Sequence, residues 1–265
     1  MLNAVLLILS ILGGCGIVFG VPISLWWLFA LIPGLFLACT LLYGVYLVVL
    51  ALILGRREPK KINRFALWNF PIFMNWLMQV LFVKIRLSGA EKLPQEPCVI
   101  VCNHRSVFDP MATVAALRHR KLLFISKESN FKIPVAAPYI IHAGYLAIDR
   151  ENGMRALRTL KKAADRMIEE GADFGIYPEG TRSKTGELLP FKTGAFYLAK
   201  KANAPIVVMT VWNTEKIGKS IHLKRIRTDL DILAVIDRET VQSSSLEELA
   251  ETTRNLIAEH LKTKT

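Results

Sequence analysis

The chain opens on a stretch in which no charge interrupts the apolar residues: positions 1–55 contain no Lys, Arg, Asp, Glu or His. About 20 residues, rising roughly 1.5 Å each, cross the hydrocarbon core of a bilayer. The stretch therefore has room for two membrane helices, expected over 2–21 and 35–54, with a turn or re-entrant bend between them. Pro22 and the pair Pro33 and Gly34 are the candidate breaks. A secretory leader is the competing reading, but the stretch lacks a positive start and is far longer than a leader's apolar part.

Residues 62–82 form a second pattern, rich in aromatics (Trp68, Phe70, Phe73, Trp76), poor in charge and interrupted by Pro71. This is the composition of a helix lying along lipid headgroups. A core helix of the following domain is the alternative. From residue 83 onward, short apolar runs alternate with helical patterns. The runs 83–87, 98–102, 122–126, 145–148, 174–177 and 206–211 predict strands, being short and rich in Val, Ile and aromatics. The intervening 110–118, 154–170 and 194–202 predict helices; in the second, Leu157, Leu160, Ala164 and Ile168 recur at helical spacing and Gly171 follows as a stop. A strand pattern near 221–236 and a helix over about 246–261 complete the chain. The alternation implies an α/β domain, a central mixed sheet flanked by helices. Three regions result: 1–55 membrane helices, 56–82 a basic and aromatic interfacial segment, and 83–265 the α/β domain.

Charge sharpens this division, because the whole net charge of +12 falls after the apolar start. Arg56, Arg57, Lys60, Lys61 and Arg64 follow it directly, and positive residues beside a span favour the cytoplasmic side. The α/β domain is thus expected on a membrane, facing the cytoplasm. A strongly basic chain with a membrane segment suits anionic lipids or an acidic carrier as partners; no nucleic-acid motif is present. The cysteines Cys15, Cys39, Cys98 and Cys102 lack the spacing and partners of a zinc site, so no metal is expected.

Two segments carry chemistry. Residues 99–110 place His104 after a buried strand and Asp109 five positions on, the residue types for a proton-accepting imidazole and the carboxylate that orients it. Such a pair, lacking a nucleophile of its own, suits activation of a substrate hydroxyl. Asp109 followed by Pro110 also reads as a helix start, Asp at the N-cap and Pro at N1. In 174–183 another strand runs into a turn: Gly180 permits tight geometry whose N–H groups can face an anion, and Arg182 can grip phosphate. Lys184 and Lys192 lie close by in sequence, and Arg150 ends a third strand. Strand ends sharing one sheet edge would build a single site.

With these residues in hand, the chain resembles the glycerolipid acyltransferase family. Asn103-His104 through Asp109 resembles its NHx4D motif, Gly144 through Arg150 its second block, Tyr177 through Arg182 its EGTR block, and Ala204 through Val207 its fourth. The fourth block continues as Val208-Met209-Thr210-Val211-Trp212-Asn213, bulkier than the family pattern. The resemblance implies His104 as general base and Asp109 as its orienting carboxylate. It also implies Arg150, Glu179, Gly180, Thr181 and Arg182 as the site for the acceptor's phosphate. It implies no metal and no bound cofactor, with acyl-CoA or acyl-acyl carrier protein as acyl donor and lysophosphatidic acid as acceptor. Acylation of another lyso-lipid, or a non-catalytic lipid-binding role, are the alternatives.

Overall fold

The computed structural model describes residues 2–20, 28–59, 61–183, 185–219 and 225–264. Pro22, Lys60, Lys184 and the first positions of the strand pattern near 221–236 lie outside them.

The apolar start forms two helices, α1 (Leu2–Gly20) and α2 (Leu28–Leu54). They lie back to back, Gly14 opposite Ile32 and Gly13 opposite Leu35, where the absent side chains allow close approach. α2 starts at Leu28 rather than 35, because Pro33 and Gly34 do not break it. Pro33 falls in the second turn, where it forfeits one intrahelical bond of a 27-residue helix. By length and composition α2 can cross a bilayer, and α1 adds the shorter apolar run Leu2–Cys15. α2 buries only Leu47 and Ala51, while Leu41, Leu42, Leu52 and Ile53 stand mostly exposed. That outer surface is costly in water and is the kind that lipid would cover.

α3 (Arg64–Val80) starts at Asn63, whose side chain accepts from the N–H groups of Phe65 and Ala66. Pro71 sits inside this helix without ending it. One face buries Ala66, Phe70, Met74 and Met78 against the α/β domain, and Phe65 and Trp68 stand exposed on the remainder.

Seven strands follow: β1 (Val83–Ser88), β2 (Val99–Cys102), β3 (Leu122–Lys127), β4 (Leu146–Ile148), β5 (Asp173–Ile176), β6 (Ile206–Trp212) and β7 (Ile226–Ile236). They make one sheet in the order β1-β7-β6-β2-β5-β3-β4. β6, β2, β5, β3 and β4 run parallel; β7 pairs antiparallel to β6 and parallel to β1. The sheet is therefore mixed, as expected, and the carboxyl ends of β2, β5 and β4 share one edge. β2 and β5 are buried along their whole length, which is why they read as continuous apolar runs.

Helices α4 (Asp109–Ala116), α6 (Gly153–Glu170), α7 (Gly194–Ala202) and α9 (Leu246–Lys262) match the helical patterns. Two more had no legible period. α5 (Ala136–Ala143) is only eight residues long, with Pro138 in its first turn, where no N–H is needed. α8 (Arg238–Ser243) is shorter still and starts at the Asp237 cap. α3 packs on α4 and α5, and α7 on α6, α8 and α9, forming two groups that flank the sheet.

One glycine is fixed by packing. Gly175 pairs directly with Phe124 in the β3–β5 register, and a Cβ on it would lie 2.2 Å from the Phe124 ring. Gly175→Ala should therefore lower stability by about 1–3 kcal/mol, the usual cost of overpacking. Thermal melts in detergent should show the loss, and Phe124→Leu in the same chain should recover part of it; an unchanged melt in the single variant refutes the account.

Candidate active site

β2 ends at Cys102, and Asn103 extends its pairing by side chain. Asn103 Nδ2 donates to the Val211 carbonyl at 3.0 Å and its Oδ1 accepts from the Val211 N–H at 2.8 Å. A buried amide thus replaces one rung of the β2–β6 ladder and sets where the chain leaves the sheet.

His104 comes next, and both polar groups of its backbone are tied to the segment after β5. Its N–H donates to Glu179 Oε1 at 2.6 Å, and its carbonyl accepts from the Ser183 N–H at 2.9 Å. The imidazole stacks on Tyr177, ring centres 4.3 Å apart, and Tyr177 stacks on Phe124 at 5.6 Å. Nδ1 lies 2.8 Å from Asp109 Oδ2. Nε2 has no partner among the described residues.

Asp109 is fully buried. Its Oδ2 also accepts from the N–H groups of Arg105 at 2.6 Å and Ser106 at 2.8 Å, and its Oδ1 accepts from the Thr214 hydroxyl. The alternative N-cap reading is not what the structure shows. Asp109 is the first helical residue, Phe108 occupies the cap without a side-chain bond, and Pro110 follows one position later than N1. The carboxylate points back over residues 105 and 106 because their N–H groups lie outside helix and sheet and take it as their acceptor. Arg105 turns away from the imidazole; it bonds Glu215 through Nε at 3.1 Å and Nη2 at 3.3 Å and covers Trp212 at 4.3 Å. The bulky residue that departs from the family pattern serves as that platform.

The turn after β5 divides its residues between inside and outside. Glu179 is 4% exposed, its Oε2 accepting from the Leu189 N–H at 3.1 Å. Burial pushes its carboxyl above the ordinary range, opposed by the two N–H bonds. Its oxygens are thus committed to the His104 loop and to Leu189. Thr181 and Arg182 are exposed, and Arg182 makes no ion pair or hydrogen bond among the described residues. Gly180 has φ +70°, and its N–H donates to the Tyr177 carbonyl, so it is not open to an anion; the N–H groups of Thr181 and Arg182 have no partner among the described residues. Arg150, from the end of β4, donates to the Gly180 carbonyl, and Lys192 lies over Gly180 at 3.1 Å from where a Cβ would stand. Three cations from three segments gather at this turn.

The structure thus brings His104, Asp109, Arg150 and residues 179–182 to one sheet edge. Asn103, Tyr177, Thr214 and Glu215 were not among the expected site residues. Asn103 and Tyr177 lie inside the motifs and were within reach. Thr214 and Glu215 lie more than a hundred positions from their partners, and only the β2–β6 pairing brings them there.

A family model described as Acyltransferase matches residues 84–212. The human 1-acyl-sn-glycerol-3-phosphate acyltransferase beta is 31% identical over 187 residues, 68% of this chain and 66% of that protein. The Haemophilus influenzae 1-acyl-sn-glycerol-3-phosphate acyltransferase is 30% identical over 151 residues, 55% of this chain and 62% of that protein. A chloroplastic relative from Brassica napus is 34% identical, with 68% of this chain and 52% of that protein aligned. The chain thus spans between half and two thirds of these relatives' lengths. Among solved structures, the crystal structure of the 1-acyl-sn-glycerophosphate (LPA) acyltransferase PlsC from Thermotoga maritima superposes with a TM-score of 0.65. It covers 84% of this chain and 91% of that one at 24% identity, a likeness of fold.

Replacing Glu179 tests its inward role. Glu179→Ala leaves two buried N–H groups without an acceptor and should cost about 1–3 kcal/mol for each. The melting temperature and kcat should both fall, with Glu179→Gln, which keeps one carbonyl oxygen, intermediate. If Glu179 served the acceptor instead, Glu179→Gln would raise KM and leave the melting temperature unchanged.

Proposed function

The chain belongs to the glycerolipid acyltransferase family, and from that premise we propose that it moves a fatty acyl group to the free hydroxyl of 1-acylglycerol-3-phosphate, giving phosphatidic acid. The donor is an acyl thioester, acyl-CoA or acyl-acyl carrier protein. The observation that carries the reading is the pairing of a buried, fully bonded Asp109 with His104 beside three cations at the Gly180 turn.

His104 Nδ1 is occupied by Asp109, so Nε2 is the nitrogen that takes the proton from the acceptor hydroxyl. The alkoxide forming on that oxygen attacks the thioester carbonyl, giving a tetrahedral oxyanion. On its collapse the carbon–sulfur bond breaks, and the thiolate recovers the proton from the imidazolium, which the Asp109 carboxylate stabilises meanwhile. The N–H groups of Thr181 and Arg182, unpaired among the described residues, are candidate donors to the oxyanion. The protein's own nucleophiles do not compete: burial, reinforced by the Asp109 and Glu179 charges, pushes the Cys102 thiol well up, so it stays protonated. Direct transfer, with no acyl-enzyme, is the reading this supports.

Arg150, Arg182 and Lys192 supply the positive field for the acceptor phosphate. The basic chain suits anionic lipids and an acidic or phosphorylated carrier. The exposed apolar surface of α2 and the exposed Trp68 and Phe65 support a position at a membrane surface, and the basic residues after α2 favour the cytoplasmic side.

Transfer of a labelled acyl group to lysophosphatidic acid by the purified protein tests the reaction. His104→Ala should lower turnover by at least ~10²-fold with its melting temperature retained; full activity in that variant refutes the base. Arg182→Ala should raise KM for lysophosphatidic acid by about tenfold or more and leave uncharged lyso-lipids unaffected, since one charge-assisted bond is lost. Equal loss on all acceptors would favour a different headgroup.

A further inference from the structure

The Asp109 carboxylate is bonded unevenly. Oδ2 takes three donors, from His104, Arg105 and Ser106, at 2.6–2.8 Å, whereas Oδ1 has one, the hydroxyl of Thr214. A carboxylate turns about its Cβ–Cγ bond, and donors crowded on one oxygen do not by themselves fix its plane. A donor on the other oxygen does, and it holds Oδ2 toward the imidazole. We infer that Thr214 is a positioning residue for the transfer reaction, acting through Asp109 to hold the His104 ring in the tautomer that leaves Nε2 free to take the acceptor's proton. This rests on the reading of His104 as general base.

The surroundings of Thr214 fit that part. It is fully buried, and it opens the tight turn Thr214–Lys216 directly after β6, entered through Asn213 at φ 68°. A left-handed residue at this point bends the chain at once, so Thr214 meets Asp109 instead of continuing along the sheet. The neighbouring Glu215 takes Arg105 at two nitrogens, Trp212 lies under the same guanidinium, and Val211 takes Asn103 at both amide atoms. Residues 211–215 therefore grip positions 103, 105 and 109 of the histidine loop, one after another. Of these contacts, only the Thr214 hydroxyl reaches a member of the catalytic pair. The rival is a buried threonine that merely fills its space. The two differ in which part of the side chain matters: the hydroxyl for positioning, the methyl for packing.

Two variants separate them. Thr214→Val keeps the methyl and loses the hydroxyl; Thr214→Ser does the reverse. Thr214→Val should lower kcat by about 10- to 100-fold, the value of one hydrogen bond to a charged group, with KM for lysophosphatidic acid unchanged, and Thr214→Ser should recover kcat even where its melting temperature falls. Histidine-selective 15N NMR, with the His104 ring assigned by its loss in His104→Ala, should give the Nδ1–H tautomer in the wild type and Thr214→Ser and a mixture of tautomers in Thr214→Val. That measurement needs no turnover. A wild-type protein that holds the Nδ1–H tautomer yet transfers no acyl group overturns the proposed reaction while supporting the positioning. A Thr214→Val ring that keeps the wild-type tautomer, or a kcat that follows the methyl, overturns the positioning.

Discussion

The site rests on how the backbone of His104 is held. The residue sits between a strand and a helix, so neither ladder nor helical bonds serve its N–H and carbonyl. Left unbonded in a half-buried position they would cost free energy and let the loop wander. The segment after the neighbouring strand satisfies both: the Glu179 carboxylate takes the N–H and the Ser183 N–H fills the carbonyl. β2 and β5 are parallel neighbours in the sheet, so the two segments emerge side by side, and the clamp follows from strand order. The imidazole and the turn after β5 are in this way parts of one bonded unit.

A second line of support enters from the packed interior. Gly175, lacking a side chain, leaves room for the Phe124 ring, Phe124 underlies Tyr177, and Tyr177 underlies His104. On its other side Phe124 meets Tyr145, which meets Phe70 of α3; Tyr139, beside Phe70, donates its hydroxyl to the Leu47 carbonyl in α2. Aromatic contacts, closed by that hydrogen bond, link α2 to the His104 ring. The α/β domain and its membrane helices are therefore not joined by a linker alone.

Much of this was legible from residue order, and the rest was not for physical reasons. Strands such as 99–102 and 206–212 stood out because central strands of a parallel sheet are buried on both faces. Pro33 misled because proline is a weaker breaker near a helix start, and α5 escaped because eight residues give barely two turns of period. In the site, His104, Asp109, Arg150 and Arg182 stood in recognisable patterns. Glu179 stood in one too, yet only coordinates reveal that its carboxylate points inward, since a motif fixes residue identity and says nothing of side-chain direction. Thr214 had no local signal, as its partner is joined to it only by the pairing of β2 with β6.

The inward and outward division of the turn after β5 has a bearing on how such sequences diversify. Glu179 and Ser183 anchor the histidine from within, while Thr181 and Arg182, between them, stand in solvent. Substitutions at the two outer positions leave both anchors untouched. On the proposed reading, a descendant sequence is thus free to adopt a new polar head on its lipid while inheriting the His104 anchors intact, and a designer wishing to alter selectivity has two positions at which to begin.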